Sequence, residues 1–255
     1  MRTDAETSVY QFPGGVAPTL VRDSPVRKSS DDAGATFLQG LRRRIARERR
    51  RRKVGRAYDM AVEIAKMIPY GSKVLDVGCG NGFIAHHLSA LLSEEVVGID
   101  VMKTAEAAIH YRLYDGRQFP VRDKSFDAVL LCYVLHHSQD IHEMLDQVRR
   151  VLRSDGLAII YEDIPWAWWD KGVCWIHNLK WKHRTGPCVF RDEAEWRKIF
   201  EDYDFELIGD RQLSRARNIA HPVRRTLFHL RKQKRKSSEL NDISLPGIVN
   251  RKSLC

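Results

Sequence analysis

"VLDVGCGNG", residues 74–82, decides how this chain is read. Val74, Leu75, Asp76 and Val77 form the end of an apolar strand, and Gly78, Gly80 and Gly82 alternate behind it. "FIAHHLSALLS", residues 83–93, follows as a helix. A strand, a glycine turn and a helix open a βαβ nucleotide-binding unit. The spacing narrows the ligand. A dinucleotide fingerprint needs its third glycine at residue 83, which is Phe83, and no Gly-Lys-Ser/Thr follows to make a phosphate loop. The glycines therefore serve to bring backbone close to a ligand, without having to cradle phosphate.

Strands and helices alternate outward from this loop. Strands are expected at 73–78, 95–101, 109–114, 127–134, 156–163, 203–212 and near 223–231. Helices are expected at 82–93, 139–153 and 191–201, with a weak one near 103–108. Such alternation gives an α/β fold with a largely parallel sheet covered on both faces. "VVGIDV", residues 96–101, places Asp100 at a strand end, 18 residues beyond Gly82. A carboxylate there accepts hydrogen bonds from ribose hydroxyls. Asp115 and Gly116 end the next strand, where a carboxylate suits an adenine amino group and Phe119 or a neighbour suits the ring.

Together, "VLDVGCGNG", "GIDV", "DGRQFPVRDKSFDAVLLCYVLHH" and "VRRVLRSDGLAIIYED" resemble the class I S-adenosylmethionine-dependent methyltransferases. The likeness runs over roughly residues 57–232 and is nearest the quinone and sterol methyltransferases. It implies a Rossmann-like, seven-stranded, mostly parallel sheet with helices on both faces and an antiparallel last strand. It also implies S-adenosyl-L-methionine as methyl donor. Carried over by position, Asp76, Gly78, Cys79, Gly80 and Gly82 form the methionine-side loop. Asp100 holds the ribose, and Asp115 with Gly116 holds the adenine. One departure is that only 14 residues separate Asp100 from Asp115, so any helix between them is very short.

The sulfonium methyl is already activated, so the protein has to align a nucleophile behind it and exclude water. A base is needed only for a protonated acceptor. His136 and His137 at one strand end, and Glu162 beside Asp163 at the next, are the catalytic candidates. Adjacent strand residues face opposite sides, so at most one of the two carboxylates reaches the site. The stretch 164–190 carries Trp166, Trp168, Trp169, Trp175 and Trp181, five of six tryptophans, with Trp168, Gly172, Trp175 and Leu179 at helical spacing. It is expected to be a lid over the acceptor, an interfacial helix or an ordinary packed helix. Cys174, His177, His183 and Cys188 match no common zinc spacing, and no metal is expected.

Net charge is +10, but unevenly placed. Residues 1–21 carry −1, residues 22–56 carry +9 and residues 211–255 carry +10, leaving −8 on residues 57–210. A basic disordered arm (1–53), a methyltransferase domain (54–232) and a basic flexible tail (233–255) are expected. The acidic body disfavours nucleic acid at the site, and the flanks suit an anionic membrane surface. Five unpaired-looking cysteines, no apolar run long enough for a bilayer and acids in the first residues suggest a cytoplasmic protein, peripheral to membrane at most. The expected function is methyl transfer to a small hydrophobic or aromatic acceptor, or a lipid. An RNA methyltransferase, or a non-catalytic adenosylmethionine-binding protein, stands as the alternative.

Overall fold

The computed structural model describes residues 30–215 and 221–234. The described residues divide into two units, one up to Arg50 and one from Arg51 on. In the first, helix α1 (Ser30–Ala65) begins, and its side chains from Leu38 to Arg50 are exposed. The arm expected to lack structure through residue 53 is thus helical from Ser30. No proline follows Pro25 there, and arginine, alanine and leucine favour helix. The rest of that arm, and the tail beyond residue 234, lie outside the described residues.

In the second unit, α1 buries Ala61 and Ile64. Strands β1 (Val74–Val77), β2 (Val97–Asp100), β3 (His110–Leu113), β4 (Phe126–Cys132), β5 (Leu152–Asp163), β6 (Phe205–Leu213) and β7 (Arg225–Lys232) form one sheet. Its order is β3-β2-β1-β4-β5-β7-β6, with β7 antiparallel to both neighbours. The seven-stranded, mostly parallel arrangement is the expected one. Helices α2 (Phe83–Leu92), α3 (Ile141–Val151), α4 (Trp168–Thr185) and α5 (Glu193–Asp202) complete the unit.

Strand periodicity divides the core. Val129, Leu131 and Ile160 pack on one face with Leu145, Val148, Trp196 and Phe200 of α3 and α5. Leu130, Ile159 and Tyr161 pack on the other with Ala61, Ile64, Ala85 and Leu88 of α1 and α2. Strands buried on both faces read as continuous apolar runs, which is why 128–135 is so apolar. β1 lies between β2 and β4, where the strand order reverses, so a crevice opens at the carboxyl ends of β1 and β4.

The weak helix near 103–108 does not form. Its backbone is held instead against the glycine loop: the amides of Glu106 and Ala107 both donate to the Asn81 carbonyl at 3.0 Å. The Thr104 hydroxyl donates to the Gly80 carbonyl at 3.1 Å. With so few residues between β2 and β3, the chain crosses directly.

Candidate functional site

The glycine loop turns sharply after β1. The amides of Gly78 and Cys79 donate to the Ile99 carbonyl at 2.8 and 3.1 Å, pinning the loop to β2. Gly78 has φ +67°, and a Cβ there would lie 2.5 Å from Val134 Cγ2. Valine is stiff at χ1, so that position has no room for a side chain. Gly80, at φ +53°, faces open space. Its amide donates to Asp100 Oδ2 at 2.8 Å, and the Met102 amide donates to Asp100 Oδ1 at 2.9 Å. Asp100 is thereby fixed at the mouth of β2 with acceptor capacity to spare.

Gly78, Gly80, Asp100, Asp115 and Gly116 line one large cavity of about 1320 Å³. Asp76, Cys79 and Gly82 do not. Asp76 is buried beneath the loop, with Oδ2 unpartnered among the described residues. Burial, reinforced by Asp100, pushes its pKa up to about 7. Cys79 turns toward the sheet, where its sulfur would lie 2.8 Å from a Cβ on Gly98. Gly82 is a packing glycine: at φ +75°, a Cβ would meet Ile109 Cδ1 at 2.8 Å.

Two N–H groups, those of Arg117 and Gln118, donate to Asp115 Oδ1 and hold its carboxyl below the usual range. The aromatic residue beside it is Tyr114, not Phe119. Phe119 is buried in the core with its ring edge-on to Tyr114 at 5.6 Å, while Tyr114 faces the cavity.

Past β4, Tyr133 adopts φ +63°, a costly conformation for an aromatic residue and one that clusters at functional sites. It re-aims the chain into a 3₁₀ turn, Leu135–His137. Glu162 does not line the cavity. It is fully buried, accepting from the Leu135 amide (Oε1, 2.8 Å) and pairing with His136 Nδ1 (Oε2, 2.7 Å). Its place is therefore behind His136 rather than at the reacting atoms. The carboxylate that reaches the cavity is Asp163, in keeping with the alternation that allowed at most one of the two. Asp163 pairs with His221 Nε2 at 2.8 Å and Arg225 Nε at 2.9 Å. Burial raises its pKa, but these two partners outweigh burial and hold it below the usual range.

His136 stacks on Phe190 at 4.8 Å. Burial pushes its pKa down, and the Glu162 carboxylate overcomes this to hold it above the ordinary histidine value. His137 Nε2 lies 3.2 Å from His177 Nε2 of α4, a residue 40 positions away. Its Nδ1 lies 3.0 Å from Thr185 Oγ1 and 3.3 Å from Cys188 Sγ. Burial, then the neighbouring imidazoles, lowers the pKa of His137 to about 3 and that of His177 to about 4. All three rings face the cavity.

α4 closes this end. Val173, Ile176, His177, Lys180, Trp181 and Arg184 are among the residues it turns to the cavity, at one-face helical spacing. Its N-terminus is held by buried Asp170, which accepts from the Trp166 and Ala167 amides and pairs with Arg215 at 2.7 Å. Trp168 and Trp175 instead lie 80% and 64% exposed, so the expected lid face is the solvent face. Trp181 is the tryptophan inside. The buried tryptophan of the domain core is Trp196, outside the insert. Sequence reading missed Tyr114, His177, His221 and Arg225 as cavity residues. Only the spacing of His177 and Trp181 on one helix face carried a signal.

Residues 75–160 match the family model described as a methyltransferase domain. The chain is 29% identical to the mitochondrial arginine-hydroxylase NDUFAF5 of Danio rerio, over 54% of this chain and 44% of that protein. It is 32% identical to the 27-O-demethylrifamycin SV methyltransferase of Amycolatopsis mediterranei (strain S699), over 36% of this chain and 40% of that protein. The chain thus spans less than half the length of these relatives. The crystal structure of YcgJ from Bacillus subtilis aligns with TM-score 0.53 at 17% identity, covering 70% of this chain and 98% of that one. Neither curated relative is named for a quinone or sterol acceptor.

Proposed function

Given that the chain carries a class I S-adenosylmethionine-dependent methyltransferase domain, we propose that it transfers the methyl group to a small hydrophobic or aromatic acceptor held under α4. The carrying observation is the size and division of the cavity. A volume of about 1320 Å³ exceeds what one small ligand fills, commonly about 300–1,000 Å³. At one end are the groups suited to a nucleoside: Gly80 faces open space, and Asp100 has lone pairs left for two hydroxyls. Asp115, Gly116 and Tyr114 lie beyond it. Adenosylmethionine fits that donor and acceptor set, and when bound it supplies the activated methyl. The chain's residues position, enclose and desolvate the acceptor. Val173, Ile176, Trp181 and Tyr133 give the other end its apolar walls, and the histidines with Asp163 give it polar anchors.

A small acceptor is favoured over RNA because the cavity is roofed by α4 and the domain body is acidic. The acceptor's source is proposed to be a lipid surface or the solution beside it. Support comes from the outer face of α4, where Trp168 and Trp175 are exposed near Lys171 and Lys182. Among the described residues no helix is long and apolar enough to cross a membrane.

Methyl-labelled adenosylmethionine, supplied with separated small-molecule, lipid and RNA fractions, tests this reading. Label is expected in the small-molecule or lipid fraction. Trp181→Ala is expected to cut that transfer about tenfold or more, whereas Trp168→Ala, on the outer face, leaves solution transfer near wild type. Label confined to RNA, or equal effects of the two substitutions, contradicts it.

A further inference from the structure

Three histidines converge at the α4 end of the cavity, and a base needs only one. A ring nitrogen from each of His136, His137 and His177 lies within 4.8 Å of those of the other two. From the juxtaposition of these three nitrogens we infer a mononuclear site for a divalent late transition ion of the zinc class, open toward the acceptor. The inference adds a resident ion to the proposed acceptor site, and it rests on that reading only for what the ion would face.

The distances suit an ion. Metal–nitrogen bonds of about 2.0–2.1 Å at tetrahedral angles set nitrogens about 3.3 Å apart and ring centres about 5 Å apart. The Nε2 atoms of His137 and His177 are already 3.2 Å apart. Ring centres are 5.1 Å apart for His137 and His177, 5.4 Å for His136 and His177, and 4.3 Å for His136 and His137. The rings are mutually tilted by 41°, 65° and 40°, not stacked face to face.

The second observation is independent of this spacing. His136 is 1% exposed, and its Nε2 has no hydrogen-bond partner among the described residues. A buried ring nitrogen without a partner is destabilising, and an ion on it removes that cost. The opposite nitrogen of the same ring meets the Glu162 carboxylate at 2.7 Å. A carboxylate behind a histidine fixes the tautomer in which the far nitrogen offers its lone pair, the usual support for a histidine on a metal. His137 is supported likewise, its Nδ1 lying against the Thr185 hydroxyl. Phe190 on His136 and Trp181 edge-on to His137 at 5.7 Å wall the cluster with aromatic surface. Three imidazoles and no fourth protein ligand in the group leave a position open, as in zinc sites that bind a substrate atom. The spacing rejected in the sequence joined Cys174, His177, His183 and Cys188, of which only His177 belongs to this group. The site instead joins the turn after β4 to α4.

The test uses untagged full-length protein, stripped with chelator and titrated with Co²⁺ as a spectroscopic probe. The expected result is one equivalent bound, with the visible absorption of a four- or five-coordinate ion, and displacement by one equivalent of Zn²⁺. His177→Asn, at a half-buried position, is expected to weaken Co²⁺ by about 100-fold or more. Glu162→Gln, which keeps an acceptor for the Leu135 amide, is expected to weaken it about 10- to 100-fold. Adenosylhomocysteine affinity, measured alongside, shows that each variant is folded. Asp100→Ala is expected to keep the cobalt spectrum while losing the nucleoside, so the ion site and the methyltransferase reading fail separately. Absence of the spectrum, or a spectrum unchanged in both His177→Asn and Glu162→Gln, overturns the site.

Discussion

Asp100→Ala lowers the affinity for adenosylmethionine by about 1.5–3 kcal/mol, roughly 10- to 150-fold. Two losses add in one substitution. The carboxylate offers about four lone-pair directions and spends two on backbone, one on the Gly80 amide and one on the Met102 amide. The remaining two are those proposed for the ribose hydroxyls, where a charged acceptor is worth more than a neutral one. Removing it also frees Gly80, whose φ of +53° has no side chain to restrain it. Isothermal calorimetry with adenosylmethionine and adenosylhomocysteine reads both. An unchanged affinity in a folded variant would place the nucleoside away from β2.

Glu162→Ala costs about 3–5 kcal/mol of stability, the largest single-residue effect expected in the site. The carboxylate is fully buried, and alanine strands two donors, the Leu135 amide and His136 Nδ1. Each buried donor left without a partner costs about 1–3 kcal/mol. The space left by the carboxylate adds to this. Because the lost bonds anchor the 3₁₀ turn, His136 and His137 lose their placement together. Denaturant unfolding measures the cost, and Glu162→Gln, which still accepts from one amide, is expected to recover part of it. A stability within about 0.5 kcal/mol of wild type for Glu162→Ala would mean that the turn holds without its anchor.

The sheet was legible because its strands are short apolar runs punctuated by glycine and polar turns, and local chemistry suffices to place them. Asp100 and Asp115 were legible as cavity residues for the same reason, since Asp100 ends β2 and Asp115 lies just past β3. What sequence could not assign was which residues of a motif face the ligand. Gly82 fits the motif, yet its missing Cβ makes room for Ile109, a contact formed only when the chain folds back. Alternation said that at most one of Glu162 and Asp163 would reach the cavity, but the choice depends on the register of β5 against β7. The insert's helical spacing was visible, yet amphipathicity with tryptophan on both sides does not reveal the inward face. His177 and His137 meet across 40 residues, a distance no local pattern spans.

The central claim is that one cavity holds adenosylmethionine at the β1–β2 end and an acceptor under α4. A crystal structure of the protein with adenosylhomocysteine tests it most directly. The account predicts the ribose on Asp100, the base beside Tyr114 and Asp115, and unfilled space between the sulfur and the histidines of α4 and the 3₁₀ turn. A nucleoside bound elsewhere on the chain, or bound so that it fills the space among His136, His137 and His177, would contradict it.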